Sequence, residues 1–82
     1  MERVLFRKWK PTYGSGIIAI LPDVEANPNM TMMYEHIGQH GEGSYPLVLS
    51  ETTPANQAEY SDLLVELELI GYALRVVKRL AN

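Results

Sequence analysis

The sequence contains no cysteine, and it contains no lysine or arginine between residues 11 and 74. The lack of cysteine excludes disulfide bonds and thiolate zinc sites as sources of stability. No apolar run approaches the roughly 20 residues of a membrane-spanning helix, and residues 1–10 lack the apolar segment of a signal peptide. We therefore expect a cytoplasmic protein with no membrane partner, whose 82 residues form a single domain, 1–82.

The charged residues are segregated along the chain. Four of the seven basic residues lie in the first ten positions and the other three in the last eight, whereas nine of the ten carboxylates lie between them. A sequence pI of about 5.2 argues against a protein that coats nucleic acid. The pattern instead predicts a local cationic patch, provided that the fold brings the two ends of the chain together.

Alternation of apolar and polar residues predicts three strands, and a continuous apolar run at 17–21 predicts a fourth. They are 3–9, 17–21, 30–37 and 73–80. The glycine-rich segment 38–44 is predicted to be irregular, and 45–49 is predicted to form a short additional strand.

One helix is predicted over about 54–70. Thr53 is the expected N-cap, Pro54 the first helical residue and Gly71 the stop signal. At 100° per residue, one arc of this helix forms a core face that consists of Tyr60, Leu63, Leu64, Leu67 and Ile70. Val65 and Leu69 fall on the opposite side, where water is expected.

The predicted order β-β-β-α-β indicates an α+β fold, a two-layer sandwich of a mostly antiparallel sheet with the helix on one face. If the last strand pairs in parallel with the first, the crossover between them is expected to be right-handed. The strand phases place a set of basic and apolar residues on the helix-free face: Arg3, Leu5, Arg7, Trp9, Arg75, Val77 and Arg79.

The basic residues of that face suggest a nucleic-acid site. Arginines interleaved with an aromatic residue bind phosphates by charge and bases by stacking. The residues of this candidate site are Arg3, Arg7, Trp9, Arg75 and Arg79. Protection of edge strands, internal pairing with central carboxylates and binding of an acidic protein are the alternatives.

The segment Glu35–Glu42 suggests a metal or acid–base site, because it carries two histidines and two carboxylates. His36 and His40 are the candidate ligands, but they converge only if the backbone brings the two rings together. The alternative is that each ring makes local hydrogen bonds. We predict no catalytic residue and no cofactor, since no serine, cysteine or lysine stands out as an activated nucleophile.

The surplus of apolar residues suggests a partner surface. Val65 and Leu69 are the candidate partner-binding residues, and burial against a second copy would form a homo-oligomer. The alternative is that the segment 45–50 folds back over one of the exposed apolar surfaces.

Several short motifs also carry a resemblance. They are Val4–Trp9, Tyr34–Gly41, Thr53–Ala55, Glu59-Tyr60, Leu63-Leu64, Glu66-Leu67, Ile70–Tyr72 and Val76–Arg79. The sequence resembles a set of short single-domain proteins of gut bacteria and their phages or mobile elements, for which no activity is assigned. The resemblance implies a stand-alone domain in a bacterial cytoplasm, with a nucleic-acid or protein partner favoured over a metabolic role.

From the sequence, the leading hypothesis is a small non-enzymatic module that binds a macromolecule or associates with itself. One alternative is nucleic-acid binding through the basic first and last strands. The other is a metal-binding protein or metal-assisted enzyme that uses His36 and His40.

Overall fold

The structure, a computed structural model, describes residues 1–36 and 39–79. Within them the chain forms six strands, two α-helices and one 3₁₀ turn at Pro11–Tyr13. The strands are β1 (Glu2–Trp9), β2 (Ile17–Leu21), β3 (Thr31–Glu35), β4 (Gln39–Gly43), β5 (Thr52–Pro54) and β6 (Leu74–Val77). The helices are α1 (Tyr45–Ser50) and α2 (Gln57–Ile70).

The six strands form one sheet with the order β4-β3-β2-β1-β5, in which β6 also pairs with β1. One edge of β1 pairs with β2. The other edge is shared, because β6 pairs in parallel with the first half of β1 and β5 pairs antiparallel with the second half. The predicted α+β class and mostly antiparallel sheet are confirmed, and the last strand does pair in parallel with the first.

The predicted strands are close to the observed ones. The predicted strand 17–21 coincides with β2, and 3–9 and 30–37 overlap β1 and β3. The predicted strand 73–80 is shortened to β6. Ile37 and Leu80, at the ends of two predicted strands, lie outside the described residues.

The main core lies between α2 and one face of the sheet. Val4, Phe6 and Tyr34 from the strands are buried with Leu63 and Leu67 from α2. Tyr60 and Leu64 pack against this cluster as predicted. Ile70 was wrongly assigned to the core face, because it lies in the last turn of α2 and half of it remains exposed.

A second, smaller apolar cluster lies on the opposite face. Leu5, Ile18, Ile20 and Met33 are buried there with Val48 of α1. The prediction of a strand at 45–49 was wrong, since an apolar run of five residues does not distinguish strand from helix. Pro46 in the first turn suits a helix start. The predicted order β-β-β-α-β and its two layers did not include α1, which partly covers this face.

The glycine-rich segment forms the edge strand β4, so the prediction of irregular structure was wrong for 39–43. β4 pairs with β3 in register, with Gly41 opposite Met33 and Gly43 opposite Thr31. A Cβ atom on Gly43 would lie 3.1 Å from Met33 Sδ, whereas a Cβ atom on Gly41 would meet nothing within 4 Å. Gly43 therefore makes room for Met33 rather than supplying flexibility.

The start of α2 also differs from the prediction. Asn56 is the N-cap and forms a capping box with Glu59, in which each side chain accepts the other residue's backbone N–H. Thr53 and Pro54 belong to β5 instead, at the edge of the sheet where proline is tolerated. The predicted stop is confirmed, because Gly71 follows the helix with a φ of 124°.

Candidate functional site

Arg3 and Arg75, two residues of the candidate nucleic-acid site, are direct neighbours on β1 and β6. Asp23 lies beside them. Its Oδ1 accepts from Arg3 Nη2 at 2.8 Å, and its Oδ2 accepts from the Arg3 backbone N–H at 2.8 Å. These bonds, together with the charge of Arg75, lower the pKa of Asp23 to about 2. The repulsion between the two guanidinium groups is therefore offset within the fold.

Arg7 is bound to the end of α1 and to the start of β5. Its guanidinium donates to Thr52 Oγ1 at 2.9 Å, to the Thr52 carbonyl at 2.8 Å and to the Leu49 carbonyl at 3.2 Å. Partial burial lowers the pKa of Arg7. This side chain thus fastens α1 and β5 to the centre of the sheet.

Trp9 and Lys8 are also held within the fold. Trp9 Nε1 donates to Glu35 Oε2 at 3.1 Å, and the indole packs against the second apolar cluster. Lys8 faces α2, where its Nζ lies 2.7 Å from Glu59 Oε2 and lowers the pKa of Glu59. Glu59 of α2 therefore compensates the charge of Lys8 on the face of the sheet that α2 covers.

Arg75 and Arg79 are exposed, together with Lys78. Of the five candidate nucleic-acid residues, these two arginines present charge to solvent, whereas Arg3, Arg7 and Trp9 have partners inside the fold. Nucleic-acid binding through the five residues stays a prediction.

The two histidines lie on the same face of the sheet as α2, and both border Tyr34. His36 Nδ1 lies 2.5 Å from Glu66 Oε1, and the hydroxyl of Tyr34 donates to the other oxygen of the same carboxylate. The His40 and Tyr34 rings form a T-shaped pair with a centroid distance of 4.7 Å. His40 Nε2 lies 3.0 Å from the Tyr72 hydroxyl.

This arrangement orients His36 through a carboxylate, as an acid–base site requires. Its side chain is 74% exposed, so the ring is accessible to solvent. Within the described part of the chain, no three His, Cys, Asp or Glu side chains are grouped so that they could hold a metal ion. Metal binding by His36 and His40 stays a prediction.

The two candidate partner-binding residues form an exposed apolar surface on α2. Val65 is 53% exposed and Leu69 is 83% exposed, and Ile70, the next residue in the sequence, is 50% exposed. We call Val65, Leu69 and Ile70 the α2 ridge. The segment 45–50 does not cover this ridge, because Val48 of α1 packs on the opposite face of the sheet. The α2 ridge therefore remains open on the described surface.

A groove opens where β5 and β6 share one edge of β1. The two strands leave a gap beside Phe6, whose carbonyl accepts the Ala55 N–H at 3.3 Å. The Phe6 and Tyr60 rings stack there with centroids 4.4 Å apart. The groove has a volume of about 670 Å³, and its lining includes Leu5, Phe6, Tyr60, Val76 and Lys78. We call it the edge groove.

No family model, curated protein or solved structure matches this chain. Among the described helices, none has the length and apolar character needed to cross a membrane. The resemblance to short proteins of gut bacteria and phages therefore stays an expectation.

Sequence reasoning missed the partners of the candidate residues. Asp23, Thr52 and Glu66 lie 20, 45 and 30 positions from Arg3, Arg7 and His36. The strand and helix periods do place Tyr34, His36 and Glu66 near one another, because Tyr34 and His36 alternate onto one face of their strand and Glu66 lies next to the core face of the helix. No sequence pattern indicated the edge groove, since it forms where the ends of β5 and β6 meet along one edge of β1.

Proposed function

We propose that this protein is an interaction module that associates with itself through the α2 ridge. The observation that carries the proposal is the 83% exposure of Leu69 on a helix whose other face packs on the core through Leu63 and Leu67. Contiguous apolar surface of this kind, rimmed by charged residues, is typical of protein interaction sites.

The size of the ridge indicates a weak contact. Complete burial of a valine, leucine or isoleucine side chain contributes about 1.5–3 kcal/mol, and these three are already partly buried. Association costs roughly 4–15 kcal/mol in lost translational and rotational freedom. The ridge therefore needs a complementary apolar surface opposite it, and we expect a Kd in the micromolar range or weaker.

Sedimentation velocity and light scattering over a range of concentrations test the proposal. Wild type is expected to show a mass that rises with concentration, whereas Val65→Glu and Leu69→Glu remain monomeric. Leu47→Glu is the matched control, because Leu47 is a 62% exposed leucine on the other helix. Circular dichroism confirms that each variant is folded. A wild type that is monomeric throughout, or association that both α2 variants leave unchanged, contradicts the proposal.

Two alternatives keep separate tests. Exposed Arg75 and Arg79 support nucleic-acid binding, which requires an affinity that falls steeply with salt. Titration with single-stranded and duplex oligonucleotides at low salt tests it, and no shift in either titration removes it. The resemblance supports a bacterial cytoplasmic setting for either activity.

A further inference from the structure

We propose that the surface which receives the α2 ridge is the edge groove of a second copy of this chain, so that copies associate head to tail. This inference rests on the proposed function above and adds the identity of the partner surface.

The charges around the ridge oppose a contact between two ridges. α2 carries Glu59, Asp62, Glu66 and Glu68 and no lysine or arginine. Asp62 and Glu68 are exposed beside the ridge. A two-fold contact of ridge with ridge would therefore collect carboxylates of both copies with no cation from either helix, and like charges that face each other across an interface oppose binding.

The edge groove has the opposite character. Its lining combines the apolar surface of Leu5, Phe6 and Val76 with the exposed Lys78, and no acidic residue is among its described lining residues. Arg79 follows Lys78 and is also exposed. An apolar ridge with acidic flanks and an apolar groove with a basic rim are complementary in both hydrophobicity and charge.

The two surfaces occupy different parts of the molecule. The groove borders the start of α2 at Asn56–Tyr60, whereas the ridge occupies its last turns, from Val65 to Ile70. Each copy can thus offer its ridge to one neighbour and its groove to another. Such head-to-tail contacts form rings or open chains rather than closed dimers.

A mixing experiment tests this geometry. Leu69→Glu damages the ridge and leaves the groove intact, whereas Lys78→Glu damages the groove and leaves the ridge intact. Each variant alone is expected to associate at least about tenfold more weakly than wild type, close to 1.4 kcal/mol. An equimolar mixture is expected to form a dimer that grows no further, since one good ridge and one good groove remain. Lys10→Glu is the control for Lys78→Glu, because Lys10 is also exposed but lies outside the groove.

The outcomes separate this inference from the proposed function. If Leu69→Glu is monomeric but Lys78→Glu associates like wild type, the ridge is an interface and the head-to-tail geometry is wrong. Failure of two monomeric variants to form a dimer in the mixture also overturns that geometry. A wild type that never associates overturns both proposals. The partner of the ridge would then be a basic surface of a different protein.

Salt provides an independent measurement. The head-to-tail contact joins acidic and basic groups, so its Kd is expected to rise as sodium chloride is raised. A contact between two acidic ridges would strengthen instead, because salt screens the repulsion. A Kd that falls with added salt therefore contradicts the inference even if the protein self-associates.

Discussion

Arg3 on β1 and Arg75 on β6 are directly paired in a parallel register, and Asp23 binds Arg3 on both its side chain and its backbone. Two like charges on neighbouring strands are destabilising when they face each other. The loop that follows β2 supplies the carboxylate that offsets them. The segregated charges of the sequence therefore meet in the fold, and an internal carboxylate accounts for this part of the cationic patch.

Asp23→Asn is expected to lower the melting temperature at pH 7. The pKa of Asp23 is lowered to about 2 in the folded protein, below the ordinary value of 3.8. The ionised carboxylate thus stabilises the fold above about pH 4, and the stabilisation is lost as the pH falls toward 2. Thermal melts across this range should show the difference between wild type and Asp23→Asn disappear. Glu25→Gln, in the same loop, is the control and should have a smaller effect; an equal effect would contradict this account.

Arg7→Lys is expected to loosen α1 and β5. A lysine cannot reproduce the forked donation to Thr52 and Leu49, and loss of these bonds costs about 1–2 kcal/mol of the free energy of unfolding. Denaturant titration measures the loss, and amide hydrogen exchange should increase in Val48 and Glu51. Lys10→Arg serves as a control, because Lys10 is an exposed residue that directly follows β1. Unchanged exchange in α1 would show that Arg7 does not fasten it.

Two glycines of β4 should respond differently to alanine. In Gly43→Ala the new Cβ meets Met33 Sδ at 3.1 Å, so Met33 must move and we expect a loss of about 1 kcal/mol. Gly41→Ala has open space and should be neutral, or more stable by about 0.4–1 kcal/mol through a less flexible unfolded chain. Chemical denaturation of both variants provides the comparison. Equal losses at the two positions would mean that strand pairing, not contact with Met33, decides the effect.

Two leucines of α2 separate folding from association. Leu67 is fully buried, and Leu67→Ala is expected to cost about 2–5 kcal/mol, a large share of the stability of so small a protein. Leu69→Ala should change stability by less than about 0.5 kcal/mol but should weaken self-association. Denaturation and sedimentation measured on the same samples distinguish the two effects. A strongly destabilised Leu69→Ala would indicate that the ridge is part of the monomer's own packing.

The metal hypothesis makes a specific prediction for His36 and His40. If both rings bind one ion, the addition of zinc should shift both sets of imidazole NMR signals with a single saturation curve. His36→Asn and His40→Asn should each abolish the effect on the remaining ring, because two protein ligands are the minimum for this site. Rings that respond independently, or not at all, would remove the hypothesis.

Local patterns predicted the features that depend on neighbouring residues. The phases of β1 and β6, the position of β2 and the end of α2 at Gly71 were correct, because side-chain alternation and a glycine with positive φ act within a few residues. The start of α2 was misplaced because Thr53-Pro54 and Asn56 both have the residues of a cap. Thr53 and Pro54 pair with β1 as part of β5, so the helix starts after them and Asn56 is its N-cap.

Segments with no clear period were harder to predict. The apolar residues of 45–49 form a helix whose Val48 is buried against the second face of the sheet. The glycines of β4 form a strand because the backbone of β3 was available for pairing and because Gly43, without a Cβ atom, leaves space for Met33. Both outcomes depend on packing between segments that are distant in the sequence.

The sequence by itself determined the α+β class, the inward and outward faces of the main strands and helix, and the exposure of Val65 and Leu69, since these follow from local periodicity. The tertiary structure alone decided which carboxylate meets which cation, that both histidines border Tyr34, and that β5 and β6 leave the edge groove. The carboxylate–cation pairs join residues 20 to 51 positions apart, and only the packing of loop and helix against the strands brings such residues within the reach of a hydrogen bond or an ion pair.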